Sequence, residues 1–158
     1  MGTCCRFLKR PEQATLRLKK MALPFVSCPC GRRGRHGKPL ALDACCGRYL
    51  DDFANTPAPD AESLMRSRYS AFVLGRADYL QGSWHARHRP ADVGPDHGTR
   101  WLGLEVRHSR SVDADHAEVE FVARYRPAVG SGPAVRIHER SRFVREGGRW
   151  YYVDGDLL

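Results

Sequence analysis

The chain has 158 residues, 42% hydrophobic and 28% charged, with ten prolines, fifteen glycines and a formal net charge of +8. This composition suits one ordinary buried core with a small appendage and excludes fibrous and low-complexity architectures. No stretch approaches the roughly 20 apolar residues of a membrane span, the N-terminus lacks a secretory apolar core, and the cysteines fall in C-x-C and C-C pairs, so a cytoplasmic thiol or metal protein is expected rather than a disulfide framework.

Residues 1–26 read as a disordered basic extension. Arg6, Lys9, Arg10, Arg17, Lys19 and Lys20 oppose the single Glu12, so most of the excess charge sits here and only +3 belongs to the remainder. No hydrophobic period runs through the segment, Met21 offers an alternative start, and Cys4 and Cys5 are assigned no role. Four thiolates around one Zn²⁺ would take a further two charges from the folded part. That leaves too little for a strong phosphate-binding surface, and nucleic acid is not the expected partner.

Residues 27–50 contain CPCGRRGRHGKPLALDACCGRY. Zn²⁺ takes four soft ligands tetrahedrally, and a C-x-C turn with a C-C pair can surround it, so Cys28, Cys30, Cys45 and Cys46 are the candidate ligands. Gly31 and Gly34 allow the chain to turn back, and Arg32, Arg33, Arg35 and Lys38 offset the site's negative charge. His36 is an alternative ligand for one cysteine, and four metal-free thiols are the competing reading. Four thiolates leave no open coordination position, so the zinc is expected to be structural. A unit this small has almost no core, and the metal should supply about 10 kcal/mol of its folding free energy.

Residues 51–158 form the larger domain, expected to fold independently of the knuckle. DDFANTPAP is rich in turn formers and reads as a linker. A helix follows, with Asp60 as N-cap, Leu64, Met65, Tyr69, Phe72 and Val73 at helical spacing, and Gly75 as stop. A second, short helix passes through Asp78, Tyr79 and Leu80 toward Trp84, and Pro90 to Thr99 reads as a loop. Alternating patterns then predict four strands starting at Trp101, His116, Ala134 and Arg149, with turns at Asp113–Asp115, Pro127–Pro133 and Gly147-Gly148. Helices followed by an antiparallel meander give an α+β fold, with the N-terminal helices packed on one face of a curved sheet.

Parity in the third strand puts Val135, Ile137, Glu139, Ser141 and Phe143 on one face and Arg136, His138, Arg140 and Arg142 on the other. Glu139 then interrupts an apolar face, where it needs a cation or donor, and Arg66 or Arg68 of the first helix is expected to meet it. A structural Arg–Glu tie competes with a ligand pocket. Tyr69, Trp84, His85, Tyr152 and Asp154 are further pocket candidates; His85 also qualifies as a general base, although a lone histidine more often caps a strand end. The arginine stripe is the remaining case for an anionic partner, with Glu118 and Glu120 positioned to neutralise part of it.

CPCG with a downstream CC resembles the SEC-C motif found at the C-terminus of the SecA translocation ATPase and in small bacterial proteins. LMRSRYSAFV, YLQGSWH, WLGLEV, VEFVARY, HERSRF and RWYYVDG are in turn similar to signatures of the uncharacterised bacterial YchJ family. The resemblance runs from about Cys28 to Gly155, although the stretch from Cys30 to Cys45 is longer than the usual motif, with Arg32 to His36 looking inserted. It implies a SEC-C zinc knuckle before a nuclear-transport-factor-2-like, or cystatin-like, cone. The expected function is a non-enzymatic zinc-binding adaptor, with a protein partner at the knuckle and a peptide or small molecule in the cone. Fold-level analogy supplies a pocket enzyme of dehydratase or isomerase type as one alternative, and an RNA or ribosome-associated protein is another.

Overall fold

The computed structural model describes residues 26–94, 98–127 and 132–158. The basic extension, Met21 and the middle of the Pro127–Pro133 turn fall outside the described residues. Four helical or helix-like segments precede the sheet: a 3-10 turn at Arg35–Gly37, α1 at Gly47–Asp51, α2 at Ala61–Leu74 and α3 at Ala77–Gly82. The strands are β1 (Arg100–Ser111), β2 (His116–Arg126), β3 (Val135–Glu146) and β4 (Arg149–Leu157), paired antiparallel in the order β1-β2-β3-β4. The architecture is α+β, as the sequence predicts. No helix among the described residues is long and apolar enough to cross a membrane.

Local chemistry sets the ends of α2. The Asp60 carboxylate accepts from the Ser63 backbone N–H at 2.6 Å, and Gly75 closes the helix in the left-handed region at φ 71°. Between them, Met65, Arg68, Tyr69 and Phe72 share the face turned to the sheet, while Glu62, Ser63, Arg66 and Ser70 share the face turned to the knuckle. The β3–β4 hairpin turns on Gly147 and Gly148, both at positive φ, as a two-residue hairpin requires.

Three bulges bend the sheet. β1 carries extra residues at Leu102 and Arg107 relative to β2, and β4 carries one at Val153 relative to β3, where Arg142 faces Asp154 while Phe143 faces Tyr152. The concave face then presents Phe121 opposite Glu139, Ala123 opposite Ile137 and Val119 opposite Ser141.

The core runs without a break from Cys28, Cys30, Cys45 and Cys46 through Tyr49, Leu50 and Leu64 to Val119, Phe143 and Trp150. The knuckle and the cone therefore share one core. Residues 51–59 are also tied down. Phe53 stacks edge-on against Tyr79 at 5.4 Å, and Arg149 lies over the Phe53 ring and donates to the carbonyls of Phe53 and Ala54. Arg76 reaches Leu50 O at 2.7 Å and Asp51 at 2.9 Å. These contacts anchor the segment that reads as a linker in sequence.

Candidate metal centre and cavity

The knuckle is a folded-back loop. Cys28 N–H donates to Leu40 O at 2.9 Å, Leu40 N–H to Arg32 O at 3.1 Å and Gly34 N–H to Lys38 O at 2.9 Å. This ladder carries the C-x-C turn toward α1, whose start delivers the C-C pair. Gly47 is required there, because a Cβ would fall 2.7 Å from Leu42 O. The four sulfurs lie within 4.8 Å of one another, with Cys28–Cys30 at 3.4 Å, Cys30–Cys45 at 3.6 Å and Cys45–Cys46 at 3.9 Å. A tetrahedral thiolate site with metal–sulfur bonds of about 2.3 Å places its sulfurs about 3.8 Å apart, so the group fits a tetrahedral metal.

Electrostatics agree with that fit. Hydrogen bonding from Cys30 and Cys46 holds the Cys28 thiol far below its ordinary value, burial pushes Cys45 up to about 12, and sharing its proton with Cys28 pushes Cys46 far up. Without a cation the cluster therefore resists forming several thiolates at once; a metal ion relieves that resistance. The Arg32 backbone N–H donates to Cys30 Sγ at 3.4 Å. His36 stands apart, exposed and at φ 63°.

The knuckle seats on α2 through polar contacts. Arg66 Nη1 donates to Cys30 O at 3.1 Å, and Glu62 accepts from Arg66 Nε at 2.7 Å and from Arg32 Nη2 at 3.1 Å. Arg32 Nη1 reaches Ser63 Oγ at 3.1 Å, and Cys28 Sγ lies 3.6 Å from Ser70 Oγ. Arg66 belongs to this interface and does not line the pocket. Residues two apart sit about 200° apart on a helix, so Arg66 and Arg68 cannot share a face.

A cavity of about 360 Å³ opens between α2 and the concave sheet. Met65, Tyr69, Phe72, Trp101, Phe121 and Ile137 give it an apolar lining; Arg68, Glu139, Ser141 and Tyr152 form its polar wall. Glu139 Oε1 accepts from Ser141 Oγ at 2.6 Å and from the Tyr152 hydroxyl at 3.2 Å. Gly155 leaves room for that carboxylate, since a Cβ there would overlap it. Burial pushes Tyr152 well above the ordinary phenol value, so it remains a donor.

The expected ion pair of Glu139 with Arg66 or Arg68 is not formed; two hydroxyls satisfy the carboxylate instead. Arg68 is 4% exposed, and its Nη1 donates to Leu80 O at 3.0 Å and Ser83 Oγ at 2.8 Å. Its guanidinium lies 4.4 Å from the Tyr152 ring centroid and 5.0 Å from that of Trp84. Burial lowers its pKa to about 10, leaving it cationic at neutral pH.

Of the pocket candidates, the structure brings Arg68, Tyr69, Trp84, Glu139, Ser141 and Tyr152 together. His85 and Asp154 lie elsewhere, each for a backbone reason. Residues 83–85 bridge to β4, with His85 N–H on Tyr152 O at 2.8 Å and Trp84 Nε1 on Val153 O at 3.1 Å. Trp84 takes the cavity side, and His85 turns toward Glu146 at 3.2 Å. The Val153 bulge reverses parity after Tyr152, so Asp154 emerges on the outer face against Arg142 at 2.5 Å. That face is largely neutralised: His138 and Arg140 meet Glu120 at 2.8 and 3.3 Å, Arg142 meets Asp154 and Asp156, and Glu118 serves Arg110. Trp101, Phe121 and Tyr125 also line the cavity, beyond the residues the sequence points to; alternation in β2 places Phe121 and Tyr125 with Val119 on one face.

Fold and site together define a small α+β cone with a four-cysteine knuckle, able to hold a metal, docked on its first long helix. The profile described as "YchJ, middle NTF2-like domain" matches residues 60–155. A UPF0225 protein of Polaromonas sp. (strain JS666 / ATCC BAA-500) is 70% identical over 134 residues, covering 85% of this chain and 95% of that protein. A UPF0225 protein of Bordetella pertussis is 51% identical over 141 residues, covering 89% and 99%. Among solved structures, a SEC-C motif containing protein from Rhodopseudomonas palustris is similar with TM-score 0.67 and 35% identity, over 84% of this chain and 99% of that one. Another from Psychrobacter arcticus has TM-score 0.68 and 30% identity, over 84% and 82%. The chain belongs to the YchJ (UPF0225) family.

Proposed function

We propose that this chain is a non-enzymatic, cytoplasmic zinc-binding protein whose cone cavity takes a small molecule or part of a peptide. Zn²⁺ is the structural ion held by Cys28, Cys30, Cys45 and Cys46, a reading supported by four soft donors and sulfur separations near the tetrahedral value. The ion's contribution is to fix the knuckle on α2. The knuckle's other side carries exposed Arg33, Arg35, His36 and Lys38, a basic edge suited to an acidic protein partner.

The observation that carries the ligand reading is the cavity itself: about 360 Å³, apolar in most of its lining, with a few convergent polar groups. The neutralised outer stripe argues against RNA. Calorimetric titration with 2-naphthamide, a neutral two-ring probe, tests the cavity. Saturable binding is expected, with NMR shifts centred on Trp101 and Phe121, and Ala123→Phe, which fills the space, should abolish it. A cavity that takes up neither this probe nor a charged analogue with the same body at millimolar concentration would overturn the reading.

A second reading rests on one contact, the Tyr152 hydroxyl within 3.2 Å of Glu139. A carboxylate beside a protonated phenol is the pairing a dehydratase or isomerase needs for proton transfer. Solvent-deuterium uptake at a bound ligand's carbon, lost in Glu139→Gln, is its signature.

A further inference from the structure

We propose that the cavity selects a planar apolar molecule ending in a carboxylate, with the acid group held by Arg68. This deepens, and rests on, the reading of the cavity as a binding site. Arg68 is the most deeply buried charge in the cavity wall, and among the described residues no carboxylate lies within ion-pair distance of it. Its Nη1 group is occupied by Leu80 O and Ser83 Oγ, while Nε and Nη2 have no hydrogen-bond partner among the described residues. Neither nitrogen is a fully enclosed orphan, because the sole such side-chain atom among the described residues is His85 Nδ1. The free edge of the guanidinium therefore opens on the cavity that Arg68 lines. Nε and Nη2 form a flat fork matched to a carboxylate, and a buried cation that feels Glu139 only through space gains from a carboxylate in direct contact.

Glu139 bears on the sign of the ligand. Its carboxylate is engaged by the hydroxyls of Ser141 and Tyr152, and it acts on Arg68 through space without a hydrogen bond or ion pair to it. The negative group is thus satisfied by protein donors and the positive group is not. An anionic head on Arg68 leaves the ligand's body among Trp101, Phe121 and Ile137, and the flat faces of the two aromatic residues favour a planar ring system.

The test compares 2-naphthoate, 2-naphthamide and 2-naphthylmethylammonium, which share a body and differ in charge, by calorimetry on the zinc-loaded full chain. Expected is an affinity for 2-naphthoate at least about tenfold above the amide, with the ammonium weakest. Arg68→Lys, which keeps the charge but loses the fork, should lose most of that preference while still binding the amide. Glu139→Gln, which removes the like charge, should tighten 2-naphthoate severalfold. Equal affinity for the acid and the amide overturns the Arg68 assignment and leaves the cavity reading standing. Tighter binding of the ammonium, abolished by Glu139→Gln, overturns it in favour of a cationic ligand. Failure of all three to bind overturns both.

Discussion

Arg66→Ala is the substitution that best separates a docked knuckle from a tethered one. Arg66 is 16% exposed and makes two contacts, to Cys30 O at 3.1 Å and to Glu62 at 2.7 Å. Losing the first leaves a carbonyl beside the cysteine cluster without its donor, at about 1–2 kcal/mol. Losing the second costs under about 1 kcal/mol, because the pair is partly solvated and Glu62 retains Arg32. The total of about 2 kcal/mol corresponds to a fall in Tm of about 6 °C for a chain of this size. The measurement is thermal unfolding of wild type and variant, each with zinc and after chelation. Without metal the four thiols no longer fix one another and Cys30 O is held less firmly, so the substitution should then cost less than about 1 kcal/mol, giving a coupling of about 1 kcal/mol or more between ion and arginine. An equal cost with and without zinc, or a Tm unchanged by Arg66→Ala, would refute the docking argument.

Elemental analysis of protein expressed in zinc-replete medium should give about one zinc per chain, and Cys45→Ser should lose it; zinc-free protein would end the metal reading. Gly47→Ala should destabilise the chain by roughly 1–3 kcal/mol and weaken metal retention, since the added methyl meets Leu42 O at 2.7 Å; an unchanged melt would mean that α1 can shift away. Glu139→Gln should cost about 1 kcal/mol or less, because the amide oxygen still accepts from Ser141 and Tyr152, whereas breaking a buried ion pair would cost about 3–5 kcal/mol. Acid titration should expose Glu62. Burial opposes its charge, but bonds from Arg66 and Arg32 hold its pKa below the ordinary 4.5. Its stabilisation is therefore complete above that value and is lost as pH falls through the depressed one, so urea midpoints from about pH 7 to about pH 3 should fall less steeply in Glu62→Gln. Parallel slopes would show that the pair contributes nothing.

Local signals carried most of the fold into the sequence. Asp60, Gly75, Gly147 and Gly148 each impose a backbone conformation that does not depend on distant residues, so the helix and hairpin ends are legible from neighbours alone. The cysteine pairs are legible for the same reason: candidate ligands for one ion must be brought together by short turns. What the sequence hid is parity across irregularities. An inserted residue at Val153 moves Asp154 to the outer face, and no alternation pattern announces it. The Glu139–Arg68 expectation failed differently. Of the cation or donor that a buried acid needs, it chose the cation, whereas two hydroxyls from β3 and β4 meet the need, and the choice between these solutions depends on side-chain placement.

The same helix joins both candidate sites, and its residue spacing explains how. Ser63, Arg66 and Ser70 recur every three or four residues along one side of α2 and hold the knuckle; Met65, Arg68, Tyr69 and Phe72 recur along the opposite side and wall the cavity. A rigid helix transmits displacement of one face to the other, because its width does not change. A metal seated by Cys28 and Cys30 would therefore help set the distance of Tyr69 and Arg68 from Phe121 and Glu139 across the cavity. Knuckle and cone share a core as well as a helix, and a ligand that packs against the cavity side of α2 stabilises the conformation the docked knuckle requires. By linkage, a bound 2-naphthoate should slow zinc loss to a chelator to the same degree that zinc strengthens 2-naphthoate binding.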